Sequence, residues 1–170
     1  TGNGGGFYLI NSSPSFINCV FEQNLGDFGG GGFLKNSSSV FYNSVFYNNI
    51  ATYRGGGIFF LQSTAILNNS NIVSNSAGSS GGGLGISSSS TLSPSLNNSI
   101  VWKNMSNNSE GHGMAGDWNG LSGNPSILQG WTGDDRAISS DPLFSNLPDP
   151  DGPDNIWFTK DDGLRLLQGS

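Results

Sequence analysis

Short apolar runs, separated by Gly, Ser and Asn, recur along the chain from residue 4 to residue 104. The runs are built from Phe, Ile, Val, Leu and Tyr, which favour strands, while the residues between them favour turns. No window shows the i, i+3, i+4, i+7 spacing of an amphipathic helix. The pattern therefore predicts many short strands joined by tight turns.

Two sequence anchors arrange these runs into a repeat. A Gly-Gly-Gly-apolar tetrad begins at residues 4, 30, 55 and 81, which gives spacings of 26, 25 and 26 residues. A block that closes on asparagine follows each tetrad, and the closing residues are Asn24, Asn49, Asn75 and Asn104. A unit of two or three strands without a helix buries its apolar face only by stacking on its neighbours. We therefore predict an all-β fold, a right-handed parallel β-helix (a solenoid) with about 25 residues per coil.

Both anchors have structural roles in such a coil. We expect one glycine of each tetrad to form a corner where a Cβ would clash. These glycines are Gly5, Gly31, Gly56 and Gly82. We expect the four closing asparagines to occupy left-handed turn positions and to hydrogen-bond along a column. A phosphate-binding loop would need a Lys-Ser/Thr pair or a helix N-terminus after the glycines, and the sequence has neither.

Charge separates a nearly neutral repeat region from an acidic end. The net charge is −6, and ten of the twelve acidic residues lie from Glu110 onward. We interpret residues 1–104 as regular coils, 105–137 as an irregular insertion or one enlarged coil, and 138–170 as a final coil with an acidic Asp/Gly/Pro-rich cap. No basic stripe favours nucleic acid, and no apolar run is long enough to span a membrane. The single cysteine, Cys19, takes a slot that is serine in the other coils, which indicates a small structural side chain.

The acidic end contains a candidate metal site. Its carboxylates are Asp149, Asp151, Asp154, Asp161 and Asp162, with Gly152 between the first members. Calcium takes six to eight oxygen ligands, which carboxylates at short spacing can supply. The sequence therefore predicts calcium binding here, and the alternative is a solvated acidic turn.

A catalytic alternative depends on Gly111-His112-Gly113 and Asp134-Asp135. These motifs resemble those of polygalacturonase-type glycoside hydrolases, but their order along the chain is reversed and the Asn-x-Asp and Arg-x-Lys motifs of that family are absent. A polysaccharide lyase would need charged groups on one sheet face, and the regular coils carry few. Binding of carbohydrate by exposed Tyr and Trp, without catalysis, stays open.

The tetrads, together with the pairs Phe21–Asn24 and Phe46–Asn49, resemble the GGA[ILV] and FxxN repeats of polymorphic outer membrane proteins. Those proteins are bacterial autotransporter adhesins with β-helical passengers. This chain has Gly in place of the Ala of that motif, and Ile72 and Val101 replace Phe in two blocks. The resemblance covers about residues 4 to 104. The run from Asp141-Pro142-Leu143-Phe144 to Leu164-Arg165-Leu166 resembles the closing coil of secreted bacterial β-helix-repeat proteins.

The resemblance implies a secreted β-helix. We expect a non-enzymatic structural or adhesive segment of an extracellular or cell-surface protein, as part of a longer exported chain. The first coil has no capping element, which favours stacking on further repeats or end-to-end self-association into a filament or surface array. The alternative is a carbohydrate-binding or polysaccharide-active protein of the lyase or hydrolase type.

Overall fold

A computed structural model describes residues 2–87, 92, 94–107, 109–110, 114–115, 126–130 and 137–167. The chain divides into two compact units, Thr1–Ser139 and Ser140–Ser170. All the named strands belong to the first unit, and no helix occurs in the described residues. Accordingly, the described part of the chain contains no helix with the length and apolar character needed to cross a membrane.

Each of the four regular coils of the first unit contains four short strands. The first coil contains β1 (Phe7–Ile10), β2 (Ser15–Ile17), β3 (Val20–Glu22) and β4 (Leu25–Phe28). The second contains β5 (Gly32–Lys35), β6 (Ser38–Tyr42), β7 (Val45–Tyr47) and β8 (Ile50–Arg54). The third contains β9 (Ile58–Leu61), β10 (Thr64–Asn68), β11 (Asn71–Val73) and β12 (Ser76–Ala77). The fourth contains β13 (Leu84–Ile86), β14 (Ser95–Asn97), β15 (Ile100–Trp102) and β16 (Met105–Ser106). Four further strands follow: β17 (Ser109–Glu110), β18 (Met114–Ala115), β19 (Ser126–Leu128) and β20 (Ala137–Ile138).

Equivalent strands of successive coils pair into four sheets. The first face is β1-β5-β9-β13-β18, the second β2-β6-β10-β14, the third β3-β7-β11-β15-β19-β20, and the fourth β4-β8-β12-β16-β17. Neighbouring strands are parallel, except that β16 and β17 form an antiparallel pair. The predicted parallel β-solenoid is therefore confirmed. It has four strands per coil instead of two or three, because left-handed corners at both ends of each asparagine block separate the strand of the block from the strands before and after it.

A left-handed residue, with φ between 47° and 69°, stands at each corner. Glycine takes this place before the first face, at Gly4, Gly29, Gly55 and Gly81. The other three corners use Asn11, Asn36 and Gln62; Asn18, Asn43, Asn69 and Asn98; and Gln23, Asn48, Ser74 and Lys103. The left-handed conformation was predicted for the asparagines that close the blocks, but the residue before each of them adopts it. That residue turns the chain, which lets the following asparagine point inward.

The glycine register differs from the predicted one at the second coil. Gly5 stacks on Gly30, and Gly31 belongs instead to the neighbouring column that contains Gly6. The run of four glycines from residue 29 to residue 32 permits two alignments, and the predicted alignment puts the apolar position one residue too late. In the structure Gly32 pairs with Phe7, whose ring fills the space that a side chain at Gly32 would take.

A β-bulge accounts for the extra residue of the second coil relative to the first. After the register shifts, Phe28 of β4 pairs with Arg54 of β8, which leaves Thr52 and Tyr53 opposite the single Asp27. Both bulged residues are exposed. Bulges of this kind redirect side chains at a sheet surface.

The core is formed by inward residues of the first three faces, stacked in columns. Phe16 lies on Phe41 with ring centroids 4.9 Å apart, and Phe21 lies on Phe46 at 4.7 Å. The inward column of the fourth face is made of small residues: Gly26, Ala51, Ala77 and Ser106. The buried core cluster comprises Leu34, Phe41, Phe46, Ile58, Phe60, Ala65, Leu67, Ile72, Leu84, Ile86, Leu96, Val101 and Leu128.

The later segments differ in how they follow the repeat. Strand β18 joins the first face, and β19 and β20 join the third in succession, so these described strands after the fourth coil continue the stack. In the second unit, the described residues 140–167 form turns and one isolated antiparallel bridge, between Phe144 and Leu166. Among these described residues, Leu164-Arg165-Leu166 forms that bridge and no named strand.

The glycine directly after each left-handed glycine should not tolerate a methyl group. A Cβ added at Gly56 would overlap the carbonyl oxygens of Gly82 and Ser76, which belong to the backbone and cannot rotate away. We expect Gly56→Ala to lower the free energy of unfolding by about 2 kcal/mol or more, measured by chemical denaturation. Gly2→Ala is the control, because no atom lies within 4 Å of its added Cβ. Equal stabilities of the two variants would contradict this account of the corner.

Candidate functional site

The closing asparagines form one hydrogen-bonded column through the four coils, here called the asparagine ladder (Asn24, Asn49, Asn75 and Asn104). The backbone N–H and the side-chain Nδ2 of Asn24 both donate to Oδ1 of Asn49, each at 3.0 Å. Asn49 donates in the same way to Asn75, and Asn75 to Asn104, each at 2.9 Å. The last three side chains are fully buried. The ladder therefore links each coil to the next through one bifurcated acceptor.

The remaining hydrogen of each buried amide is also used. Nδ2 of Asn49 donates to the carbonyl of Phe21 at 2.8 Å, and Nδ2 of Asn75 donates to that of Phe46 at 2.9 Å. Each of these carbonyls belongs to the preceding coil. An unsatisfied buried amide would cost about 1–3 kcal/mol, so full pairing is what makes a polar column tolerable inside the solenoid.

Serine columns repeat the same arrangement at two other corners. Ser44, Ser70, Ser99 and Ser126 form one column, in which each Oγ accepts the N–H of the equivalent residue in the preceding coil at 3.1–3.4 Å. Ser37 and Ser63 do so at the other corner, at 3.2 and 3.0 Å. Cys19 begins the first column, with its Sγ 3.4 Å from the Ile17 carbonyl. The sequence signal for these columns is a small polar residue directly after each left-handed Asn or Gln.

The two sequence anchors meet inside the solenoid. A Cβ added at Gly31 would lie 3.1 Å from Nδ2 of Asn49 and 3.0 Å from Cδ1 of Phe46. A Cβ added at Gly57 would lie 3.4 Å from Nδ2 of Asn75. The column formed by Gly6, Gly31 and Gly57 therefore packs against the asparagine ladder, although the atoms nearest to an added Cβ at Gly31 and Gly57 are carbonyl oxygens of the next coil, each at 2.6 Å.

A second aromatic cluster lies outside the core cluster, across the first and fourth faces. Tyr8, Phe33 and Phe59 stack along successive coils, with centroids 5.1 and 5.7 Å apart. Phe28 contacts both Phe59 and Tyr53, at 5.1 Å in each case. The rings of Tyr8 and Tyr53 remain about half exposed, at 48% and 51%. This cluster covers the glycine corner from outside and presents two tyrosines to solvent.

The acidic carboxylates of the second unit hold its own turns. Asp162, which is buried, accepts the N–H of Phe158 at 2.8 Å and that of Thr159 at 3.0 Å. The Thr159 hydroxyl lies 2.8 Å from Oδ1 of Asp161 and 2.9 Å from Oδ1 of Asp162. These two aspartates therefore close a local turn around Thr159.

The described residues contain no group of three or more His, Cys, Asp or Glu side chains that could hold a metal ion. Asp154 accepts the N–H of Ile156 at 2.9 Å. Of the five predicted ligands, Asp161 and Asp162 are brought together by the Thr159 hydroxyl. The calcium site stays a prediction.

The candidate catalytic motifs, Gly111-His112-Gly113 and Asp134-Asp135, lie outside the described residues. Comparison with known proteins finds no match among protein-family models, curated proteins or solved structures. The likeness to polymorphic outer membrane protein repeats therefore has no support beyond the motifs themselves.

The asparagine ladder should reject a charge at its centre. In Asn75→Asp the carboxylate still accepts from Asn49 but no longer donates to Asn104 or to the Phe46 carbonyl, and it is buried without a cation. We expect a loss of about 3–5 kcal/mol at neutral pH. Burial raises the pKa of such a carboxyl in the folded state, so part of the loss should be recovered as the pH falls.

The matched control for this substitution is Asn68→Asp. Asn68 is half-buried, and its Oδ1 accepts from Nδ2 of Asn97 at 2.8 Å, which a carboxylate also does. We expect it to cost less than about 1 kcal/mol. Equal losses in the two variants, measured by urea denaturation from acid to neutral pH, would contradict the special role of the ladder.

Asp162 should hold the turn around Thr159. We expect Asp162→Ala to expose the amides of Phe158 and Thr159, so that their hydrogen exchange becomes at least about tenfold faster, equivalent to about 1.4 kcal/mol. Asp151→Ala is the control and should leave both amides unchanged. The same exchange measurement with added calcium and with chelator also decides the calcium prediction, since a bound ion would slow exchange in this segment.

Proposed function

We propose that this chain is a non-enzymatic structural or adhesive segment of an extracellular or cell-surface protein. The observation that carries the proposal is the use of the polar interior: the asparagine ladder and both serine columns join one coil to the next. Side chains committed in this way make a rigid stack in which each coil contacts its neighbours. The extracellular location is supported by the resemblance of the tetrads and Phe-x-x-Asn pairs.

The first coil presents a surface on which a further coil can stack. Strands β1, β2, β3 and β4 are each the outermost strand of their sheet in the described structure. The core residues of this coil, Phe7, Leu9, Phe16 and Phe21, are only partly buried. Unpaired strand edges beside exposed apolar side chains invite another chain.

The polarity of the asparagine ladder defines what can stack there. Each asparagine donates its backbone N–H and one Nδ2 hydrogen to the Oδ1 of the following coil, so Oδ1 of Asn24 faces the open side and accepts no hydrogen bond within the described residues. A coil stacked here in the same direction and register would supply two donors to this oxygen, as Asn24 does for Asn49. We therefore propose that either a further coil of a longer chain or a different surface of a second copy stacks on the first coil; in the second case the contact is heterologous and generates filaments or arrays.

Self-association of the purified chain tests this proposal. We expect sedimentation velocity to show species that grow beyond the dimer as the concentration rises. Phe16→Lys places a charge on the open coil end and should suppress this growth by at least about tenfold in the association constant, because the ammonium would be desolvated there.

Ile17→Lys is the matched control, because the neighbouring Ile17 is 62% exposed and faces outward. It adds the same charge without touching the coil end and should leave association unchanged. Thermal melting establishes that both variants fold. A chain that stays monomeric at all concentrations would refute the filament, and a limiting dimer would refute the heterologous contact.

A further inference from the structure

A groove of about 570 Å³ lies on the fourth face, across the second, third and fourth coils. Its ends are formed by Ile50 and Met105, and Ser76 lies between them in the same register column. The groove exists because the third coil carries the shorter side chain at this position. Pockets of a few hundred Å³ are of the size that holds small ligands.

A second column deepens the groove for the same reason. Gly78 lies between Thr52 of the second coil and Asn107 of the fourth, and all three line the groove. A Cβ at Gly78 would overlap the carbonyl oxygen of Thr52, so no side chain fits at this position and the groove reaches down to the backbone. The third coil therefore has its shortest side chains at two neighbouring columns of one face.

The β-bulge of the second coil meets the groove at the same place. Because Thr52 and Tyr53 both stand opposite Asp27, Thr52 lines the groove while the next residue, Tyr53, presents its half-exposed ring. Without the bulge, successive residues would alternate between the two sides of the sheet. Bulges are over-represented beside binding sites, and this one arises independently of the short side chains.

The lining defines the chemistry of a ligand. None of the described lining residues is ionisable, which disfavours charged ligands. Apolar surface at Ile50 and Met105 alternates with the hydroxyls of Thr52 and Ser76 and the amide of Asn107. Hydroxyls and amides both donate and accept hydrogen bonds, and this mixture suits a neutral ligand with apolar ring faces and many hydroxyl groups.

The sheet itself argues against a peptide in this groove. The strands beneath it, β8, β12 and β16, are paired with one another, so a peptide finds no open strand edge to extend. The three coils span about 10 Å at a strand spacing of about 4.8 Å, a length comparable with a disaccharide. We propose that the groove is a binding site for a neutral oligosaccharide.

Titration calorimetry with a defined panel tests the proposal. The neutral probes are cellotetraose, maltotetraose and chitotetraose, and the acidic probe is tetragalacturonate. We expect at least one neutral probe to bind and the acidic probe to fail. Binding of none of the neutral probes, or tighter binding of the acidic one or of an uncharged tetrapeptide, would overturn the proposal.

Two variants locate the site. Ser76→Leu fills the groove and should lower affinity for the sugar about tenfold or more. Ser15→Leu makes the same change at an exposed strand residue of the second face and should leave this affinity unchanged. Thr52→Val removes one hydroxyl with little change of shape and should weaken binding while leaving the melting temperature near that of the parent chain. An equal effect of the two serine substitutions, or none of Thr52→Val, would place the sugar elsewhere and refute this groove.

Discussion

The close packing of one glycine column (Gly6, Gly31 and Gly57) between the next coil and the asparagine ladder is the constraint on which the solenoid depends. A Cβ at Gly31 or Gly57 would lie 2.6 Å from a carbonyl oxygen of the next coil, and a ladder amide lies beside it at 3.1 or 3.4 Å. Each amide in turn needs the next coil at one register, because its acceptor is an oxygen exactly one repeat away. A slip of one residue would move every inward side chain to the outside and leave the buried amides unpaired. Sheet pairing, core stacking and corner geometry follow from this one contact.

The repeat and its parallel stacking could be predicted from the sequence because glycine and asparagine recur at a nearly constant period. The exact register could not, since four consecutive glycines from residue 29 to residue 32 fit the period in two ways. The choice is made by the Phe7 ring, which fills the space beside Gly32 and belongs to another coil. The position of the bulge at Thr52 was hidden for a similar reason: a one-residue difference in period does not say which strand contains it.

The sequence predicted two or three strands per coil instead of four, because the pattern of apolar side chains does not show where the backbone turns. Apolar residues occur on both sides of the corner before Ser44, so the run from β6 to β7 looks continuous in sequence. The left-handed Asn43 nevertheless breaks it, and the Ser44 hydroxyl takes the N–H of Cys19. A left-handed residue followed by an inward Ser or Asn is thus a local rule for a corner of this solenoid. The rule needs the structure to become visible, because Asn is also abundant elsewhere in the chain.

Inside and outside positions are under different physical constraints, which bears on where recognition can arise. An inward side chain such as Asn75 bonds the coils on both sides, so its replacement disturbs three coils together. An outward side chain such as Ser76 affects only the surface formed with its column neighbours, Ile50 and Met105. The third coil can therefore carry short outward side chains without disturbing the ladder one residue away. Features found in one coil only, such as this groove and the neighbouring bulge, distinguish one part of a repetitive surface from another. A ligand can bind selectively to one place on the solenoid only through features that do not repeat.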